Sequence, residues 1–171
     1  SRINIKLKSI DGTEINGQGP HIDSSHIEQL MNRLRRLESG DVLVLAGSIP
    51  AGISDNIYKD IMDMLKDKGV QIVVDATSRL LTNVLEYNPF FIKPNQHELG
   101  DIFNVTLNTQ EEVIPYALEL KKMGAVNVCV SMGGKGAILV ADDDNVYKAK
   151  APDGILKNSV GAGDSLVAGF L

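Results

Sequence analysis

The chain has 171 residues and balances 17 Lys and Arg against 22 Asp and Glu, a formal charge of −5; this length suits one hydrophobic core rather than several domains. Its 43% hydrophobic and 23% charged residues exclude a disordered chain, no apolar run reaches the roughly 18 residues of a membrane-spanning helix, and the acidic balance offers no basic stripe to a nucleic-acid backbone. The single cysteine, Cys129, cannot form an intrachain disulfide, and residues 1–6 open into alternation rather than a leader, so a reducing, cytoplasmic setting is expected.

Ile3, Ile5 and Leu7 alternate with Asn4, Lys6 and Lys8, and a turn through Asp11-Gly12 leads into Thr13-Glu14-Ile15-Asn16, which predicts a two-stranded ribbon. Such a ribbon is marginal alone and must lean on another layer, a partner chain or further sequence. A break at Gly17-Gln18-Gly19-Pro20 divides this ribbon, residues 1–20, from an α/β body, residues 21–171. There the period changes to 3.6: Ile27, Leu30, Met31, Leu34 and Leu37 form a helical stripe that stops near Gly40, and Val42-Leu43-Val44-Leu45 follows as a buried strand. Ile57, Ile61, Met64 and Leu65 repeat the unit, with Gly69 as the stop and a strand over 70–75. A shorter helix over 78–86 leads to Phe90-Phe91-Ile92. Thr109 and Glu112 then suggest a capping box for a helix carrying Val113, Ala117, Leu120 and Met123, which Gly124 ends before a strand over 126–130. These repeats predict a parallel sheet with helices on its faces. A hairpin over 136–140 and 146–148 closes through Asp142-Asp143-Asp144-Asn145, read as a solvated turn because it lacks the spaced ligands of a calcium loop. The final segment starts a helix after Gly161-Ala162-Gly163.

In an open α/β sheet, ligands collect beyond the C-terminal ends of the parallel strands. Four polar or glycine-containing segments emerge there: Ala46-Gly47-Ser48-Ile49-Pro50, Asp75-Ala76-Thr77-Ser78, Lys93-Pro94-Asn95-Gln96-His97-Glu98 and Ser131-Met132-Gly133-Gly134-Lys135-Gly136. Each alone reads as a turn or a cap, Ser48 and Asp75 included, and their convergence makes the pocket. Asn158-Ser159-Val160-Gly161-Ala162-Gly163-Asp164-Ser165 is the sharpest segment. Its glycines permit close backbone approach, and the N–H groups at the following helix terminus can hold a phosphoryl oxyanion. Asp164 is open to two readings: a carboxylate stabilised by the helix terminus by roughly 0.3 to 1 kcal/mol, or the acceptor of an alcohol proton during phosphoryl transfer. A simple cap needs no Gly-Ala-Gly run. Asn95 and Glu98, three apart, form a capping box, hold a hydrated Mg²⁺, or do both. Lys93 is either a cation at the pocket or an exposed lysine whose stem covers the sheet.

Other sites fit poorly. Gly161-Ala162-Gly163 has Leu166 where a dinucleotide fingerprint needs its third glycine, and Gly133-Gly134-Lys135-Gly136 has the wrong spacing for a P-loop. His21, His26 and His97 form no paired-histidine zinc motif.

Together with Arg2-Ile3-Asn4-Ile5-Lys6 and Glu14-Ile15-Asn16-Gly17-Gln18-Gly19-Pro20, these motifs resemble, in order and over the whole chain, the PfkB branch of the ribokinase-like carbohydrate kinases. The resemblance implies a three-layer sandwich around a mostly parallel sheet, with a small β-ribbon lid. It implies ATP-dependent transfer to the C6 hydroxyl of fructose 1-phosphate, with tagatose 6-phosphate the alternative acceptor and a noncatalytic sugar-phosphate or nucleotide sensor the alternative of another class. On it, Asp164 matches the catalytic base and Gly161, Ala162 and Gly163 the anion hole. Arg2, Lys6 and Ser48 match positions that bind the sugar phosphate; Lys93, Asn95, Ser131, Gly133 and Gly136 match the nucleotide site. Asn95 and Glu98 match the pair that organises Mg²⁺ through water, and the ribbon implies a homodimer. Asp75-Ala76-Thr77-Ser78-Arg79 departs from the family's Asp-Thr/Ser-Ser-Gly-Glu pattern. The family's further N-terminal strands and C-terminal helices have no counterpart here, so the sequence is read as the central, nucleotide-side part of a longer kinase, whose activity in isolation does not follow.

Overall fold

Two short strands, β1 (Asn4–Lys6) and β2 (Glu14–Asn16), pair antiparallel with Asn4 opposite Asn16, Ile5 opposite Ile15 and Lys6 opposite Glu14. This is the ribbon expected from the alternation. The computed structural model describes residues 4–6, 14–17, 19, 21–50, 52–155 and 160–171, with these two strands described through their backbone. Ile3, Leu7 and the Asp11-Gly12 turn lie outside the described residues.

Helix α1 (Ser24–Leu34) starts where Asp23 caps it, accepting from the His26 amide at 3.1 Å and from the Ser25 hydroxyl at 2.8 Å. These bonds, with the His26 ring beside them, hold the Asp23 carboxyl down at about 2. Leu37 falls beyond the helix, in a turn whose carbonyls at Arg35 and Leu37 accept from Lys68 Nζ. The remaining units follow in order: β3 (Val42–Ala46), α2 (Ile57–Leu65), β4 (Gln71–Asp75), α3 (Ser78–Thr82), β5 (Phe91–Ile92), α4 (Gln96–Phe103), α5 (Gln110–Lys122), β6 (Asn127–Ser131), β7 (Ala137–Val140), β8 (Val146–Ala149) and α6 (Ala162–Phe170). The helix expected over 78–86 breaks into α3 and a separate 3₁₀ turn at Leu85–Tyr87, which ends with Asn88 in the left-handed region.

The main sheet has the order β3-β4-β5-β6-β7-β8, parallel from β3 to β6 and antiparallel through the hairpin β6-β7-β8. Strand alternation assigns the two faces. Ile72 and Val74, Ile92, Val128 and Val130, and Ile138 and Val140 pack with Ile61, Met62, Leu65, Leu99, Val113 and Leu120 of α2, α4 and α5. Their neighbours Val73, Phe91 and Cys129 point the other way, against Val167 and Phe170 of α6. The Phe170 ring stacks on Phe91 at 4.0 Å and 23°, which fixes the C-terminal end of α6 on the sheet.

One expectation is corrected by this packing. In this chain β3 stands first in the sheet order and is half-buried rather than buried: Leu45 is buried, while Val42 and Val44 are 45% and 43% exposed on the α6 face. A continuous apolar run does not distinguish the centre of a sheet from its edge. Among the described residues, no helix is long and apolar enough to cross a membrane.

Candidate active site

The parallel strands deliver their polar loops to one edge, where α6 begins. Gly161 precedes the helix in the left-handed region at φ 78°, a conformation that glycine adopts without steric cost, and the Ser165 hydroxyl turns back to donate to its carbonyl at 2.8 Å. Ala162, Gly163 and Asp164 form the first turn, with the Asp164 side chain exposed. The first N–H groups of a helix have no intrahelical acceptor and carry the positive end of its dipole, so this turn suits an anion.

Beneath it lies a cation. Lys93, one residue past β5, is only 7% exposed, and its Nζ is 3.1 Å from Asp75 Oδ1 at the end of β4. The alternative reading of Lys93 as an exposed strand-terminal lysine is thereby excluded, and Asp75 is a strand residue paired with a lysine rather than a helix cap. Gly163 lets the helix turn come close to this lysine: a Cβ there would lie 3.1 Å from Lys93 Nζ and 3.4 Å from Lys93 Cε. Asp75 and Asp164 line one cavity of about 300 Å³ together with Val44, Ala46, Val167 and Leu171. Burial, with the Asp75 charge nearby, pushes the Tyr58 phenol above its ordinary range; its hydroxyl donates to the Ala46 carbonyl at 3.0 Å.

On the other side of the α6 turn, a cavity of about 380 Å³ is lined by Ser131, Gly133 and Gly136 and by Ala162, Gly163 and Leu166. The glycine loop over 131–136 and the helix terminus therefore share a wall. Gly136 has φ 91° and lies so close to β8 that a Cβ would overlap the Ala149 carbonyl oxygen. Gln110 holds the loop from α5, its Nε2 donating to the carbonyls of Lys135 at 2.9 Å and Ala149 at 3.0 Å.

Asn95 sits beside this loop through a parallel bridge to Ser131. Its side-chain oxygen accepts from the His97 and Glu98 amides, both at 2.9 Å, while Glu98 Oε2 accepts from the Asn95 amide at 2.8 Å. The expected capping box is thus formed. Both residues are oxygen donors at one helix start, a set suited to a hard cation met through water, and a carboxylate offers about four lone-pair sites, so capping and metal contact are compatible uses of one side chain.

Not every expected residue joins this centre. Ser48 is exposed and lines a different, largely apolar groove of about 630 Å³ between α1, α2 and β3; Val44 and Ala46 border both that groove and the Asp164 cavity. Lys6 is on β1, opposite Glu14, and Arg2 lies outside the described residues, as do Asn158 and Ser159. Asp144 of the acidic turn pairs with Lys121 Nζ at 2.6 Å. Asp75 lies in one of the four segments expected at the pocket but alone reads as a cap, and its pairing with Lys93 is what the sequence does not show.

A parallel α/β sheet that brings a glycine loop, a glycine-opened helix terminus and a buried lysine to one edge defines a phosphate-binding class of fold. Comparison narrows the class: residues 1–171 match the model of the pfkB family carbohydrate kinases, and the chain belongs to that family. It is 45% identical over its whole length to a 1-phosphofructokinase of Bacillus subtilis and 33% identical to a D-tagatose-1-phosphate kinase of Bacillus licheniformis, covering 56% of each. The fold superposes on the Escherichia coli phosphofructokinase-2 in complex with substrates and products with a TM-score of 0.84 at 29% identity, over 97% of this chain and 55% of that one. The α/β fold is therefore ribokinase-like, with a mostly parallel central sheet and flanking helices, and the chain spans about half the length of the relatives it matches.

Proposed function

We propose that the complete protein transfers the γ-phosphoryl group of ATP to the C6 hydroxyl of fructose 1-phosphate, giving fructose 1,6-bisphosphate. The observation that carries the reaction class is the first turn of α6, which separates a cavity holding Asp164 from one walled by the 131–136 glycine loop. An acceptor on the Asp164 side and a nucleotide on the loop side would meet across that turn. As the sugar oxygen bonds to phosphorus, Asp164 takes the hydroxyl proton, which is too weakly acidic to leave beforehand. The N–H groups after Gly161 meet the phosphoryl oxygens. Ser131, Gly133 and Gly136 line the nucleotide side, and Lys93 and Asn95 are assigned to the nucleotide with them. Magnesium accompanying the nucleotide supplies neutralising charge for the polyphosphate when bound, and Asn95 and Glu98 are the residues to meet its water shell.

For the acceptor, the reading rests on the 45% identity to a relative named 1-phosphofructokinase. Arg2, Lys6 and Ser48 are proposed to hold the sugar phosphate, with residues 1–20 acting as a lid over the core of residues 21–171 and joining two copies as a homodimer. A cytoplasmic location accompanies this reading and agrees with a lone cysteine that is buried and unpaired.

Steady-state assays of the complete protein with fructose, fructose 1-phosphate, fructose 6-phosphate, tagatose 1-phosphate and tagatose 6-phosphate test the proposal. Fructose 1-phosphate is expected to give the highest kcat/KM, with free fructose a much poorer acceptor because it lacks the charge that Arg2 and Lys6 would pair. A second reading, tagatose 1-phosphate as acceptor, is favoured by the 33% identity to a relative of that name and wins if that sugar is preferred. Nucleotide binding without transfer to any sugar would move the protein to a sensor role.

A further inference from the structure

A lysine ammonium taken out of water is costly, and a buried ion pair is often no more stabilising than an apolar pair of the same shape. Among the described residues, Lys93 and Asn127 are the buried polar side chains. Asn127 is accounted for by structure: its Nδ2 donates to the Phe90 carbonyl at 2.9 Å and its Oδ1 accepts from the Asp142 amide at 3.0 Å. Lys93 has no comparable structural task. Its ammonium meets Asp75 on one side and the first turn of α6 on the other.

The strand register produces this placement. Val74 stands opposite Ile92 in the parallel β4-β5 pair, so Asp75 and Lys93 follow at equivalent positions, and alternation turns both away from the α2–α5 face toward α6. Asp75 is itself fixed by the sheet, paired in register with Ala46 and with its carbonyl accepting from the Gly47 amide at 3.0 Å. Asp75 also lines the Asp164 cavity.

We propose that Asp75 is a positioning residue for phosphoryl transfer: it holds the Lys93 ammonium under Gly163 so that the cation meets the transferring group beside the α6 N–H groups. This rests on the kinase reading above. In the step, the bond from the sugar oxygen to the γ-phosphorus forms as the bond from that phosphorus to the β,γ-bridging oxygen breaks. The electron pair leaves with ADP and the hydroxyl proton goes to Asp164, while Lys93 takes no part in the proton transfer. Its contribution is a fixed positive charge in a water-poor site, where charge developing on the phosphoryl oxygens is stabilised without rearrangement. Asp75 acts only through Lys93. Gly163 borders the same device, since a Cβ there would come within 3.1 Å of the ammonium.

The test uses the complete protein and the variants Asp75→Asn, Asp75→Glu, Lys93→Met and the Asp75→Asn/Lys93→Met double. For Asp75→Asn, kcat should fall about 100-fold, the size expected when a reacting group is misplaced by an ångström, while KM for both substrates stays within about threefold. Asp75→Glu should recover part of that loss. The double variant carries no unpaired charge, so its melting temperature should return toward wild type while its kcat stays as low as that of Lys93→Met alone. A kcat for Asp75→Asn within about twofold of wild type overturns the proposal, as does a double variant that regains activity together with stability. If Asp75→Asn does not fold, the double variant alone decides.

Affinity for ADP with aluminium fluoride and magnesium, a mimic of the transferring group, is measured in parallel. Asp75→Asn should weaken it about tenfold and leave ADP alone unchanged, since only interactions particular to the transition state are lost. Absence of wild-type transfer to every sugar phosphate would sink the kinase reading, and this titration would still judge Asp75: equal affinity in wild type and variant overturns the positioning role, and a selective loss upholds it.

Discussion

In this chain, which spans about half the length of its relatives, the two faces of the main sheet carry different groups. Toward α2–α5, seven strand residues from Ile72 to Val140 are all buried and are met by buried side chains from three helices. Toward α6, the described cover consists of one helix held by Val167, Leu166 and Phe170, and β3 leaves Val42 and Val44 exposed beside it. Asp75, Lys93 and Asp164 of the candidate site belong to the α6 side, while Glu98 stands at the start of α4. Dense packing tolerates little displacement or buried charge. Within this chain the α2–α5 face carries the larger apolar core and the α6 face carries the charged groups, with the strands between them setting the position of both.

The most severe way to break that separation should be Asp164→Asn in the complete protein. It removes the proposed proton acceptor while keeping the shape of an exposed side chain, so transfer should fall by about 10²- to 10⁴-fold, the range that general-base catalysis supplies, with nucleotide affinity and melting temperature nearly unchanged. Product formation, nucleotide titration and thermal unfolding measured side by side check this; turnover near wild type would remove Asp164 from its role. On the opposite face Leu120→Ala should do the reverse. Leu120 is wholly buried in the α5 layer, and its truncation should cost about 2 to 5 kcal/mol of stability. The surviving folded fraction should keep its kcat, which urea unfolding and active-site-normalised kinetics will show.

A third test concerns the charge chemistry of the α6 face. Burial pushes the Cys129 thiol up to about 11 from 9.0, with the Lys93 charge opposing that rise. Above about pH 9 the unfolded chain gives up its thiol proton while the folded protein keeps it, so unfolding is favoured as pH rises. The contribution is fully present below the unfolded value, declines between about pH 9 and 11 and then levels, a loss of about 2 to 3 kcal/mol. Urea unfolding of the complete protein across this range, beside Cys129→Ala, should show a steeper decline for wild type. Parallel curves would mean that the thiol is not held neutral by its surroundings.

What the sequence revealed follows the same division between local and long-range causes. The capping boxes at Asn95 with Glu98 and at Thr109 with Glu112 were legible because side chain and backbone partner lie within one turn. The start of α6 was legible for the same reason, since Gly161 and Gly163 encode a local conformation and a local space. The Asp75–Lys93 pair was not. It depends on β4 and β5 pairing with Val74 opposite Ile92, a register no short pattern specifies, and each residue alone has an ordinary explanation as a cap or a surface cation. The exposure of Val42 and Val44 was hidden too, because an apolar run carries no mark of whether a neighbouring strand covers it.

Phe170→Leu should have the smallest effect on stability and sharpens the comparison most. Phe170 stacks on Phe91 at 4.0 Å and meets Phe90 at 6.2 Å, and with Val167 it is what presses α6 to the sheet. Leucine keeps an apolar side chain of moderate size but loses the ring contact, so the stability loss should be about 1 kcal/mol. On the α2–α5 face, a change of that size would leave chemistry untouched, because no candidate residue rides on those helices except through the capped start of α4. On α6 the same loss loosens the element that carries Asp164 and the phosphate-facing amides, and small misplacements of reacting groups are amplified in rate. Phe170→Leu should therefore lower kcat several-fold more than Leu120→Ala does, although it destabilises the protein less. Stability and kcat measured for both variants give two ratios; if kcat falls in proportion to stability on both faces, the assignment of chemistry to the α6 side is wrong.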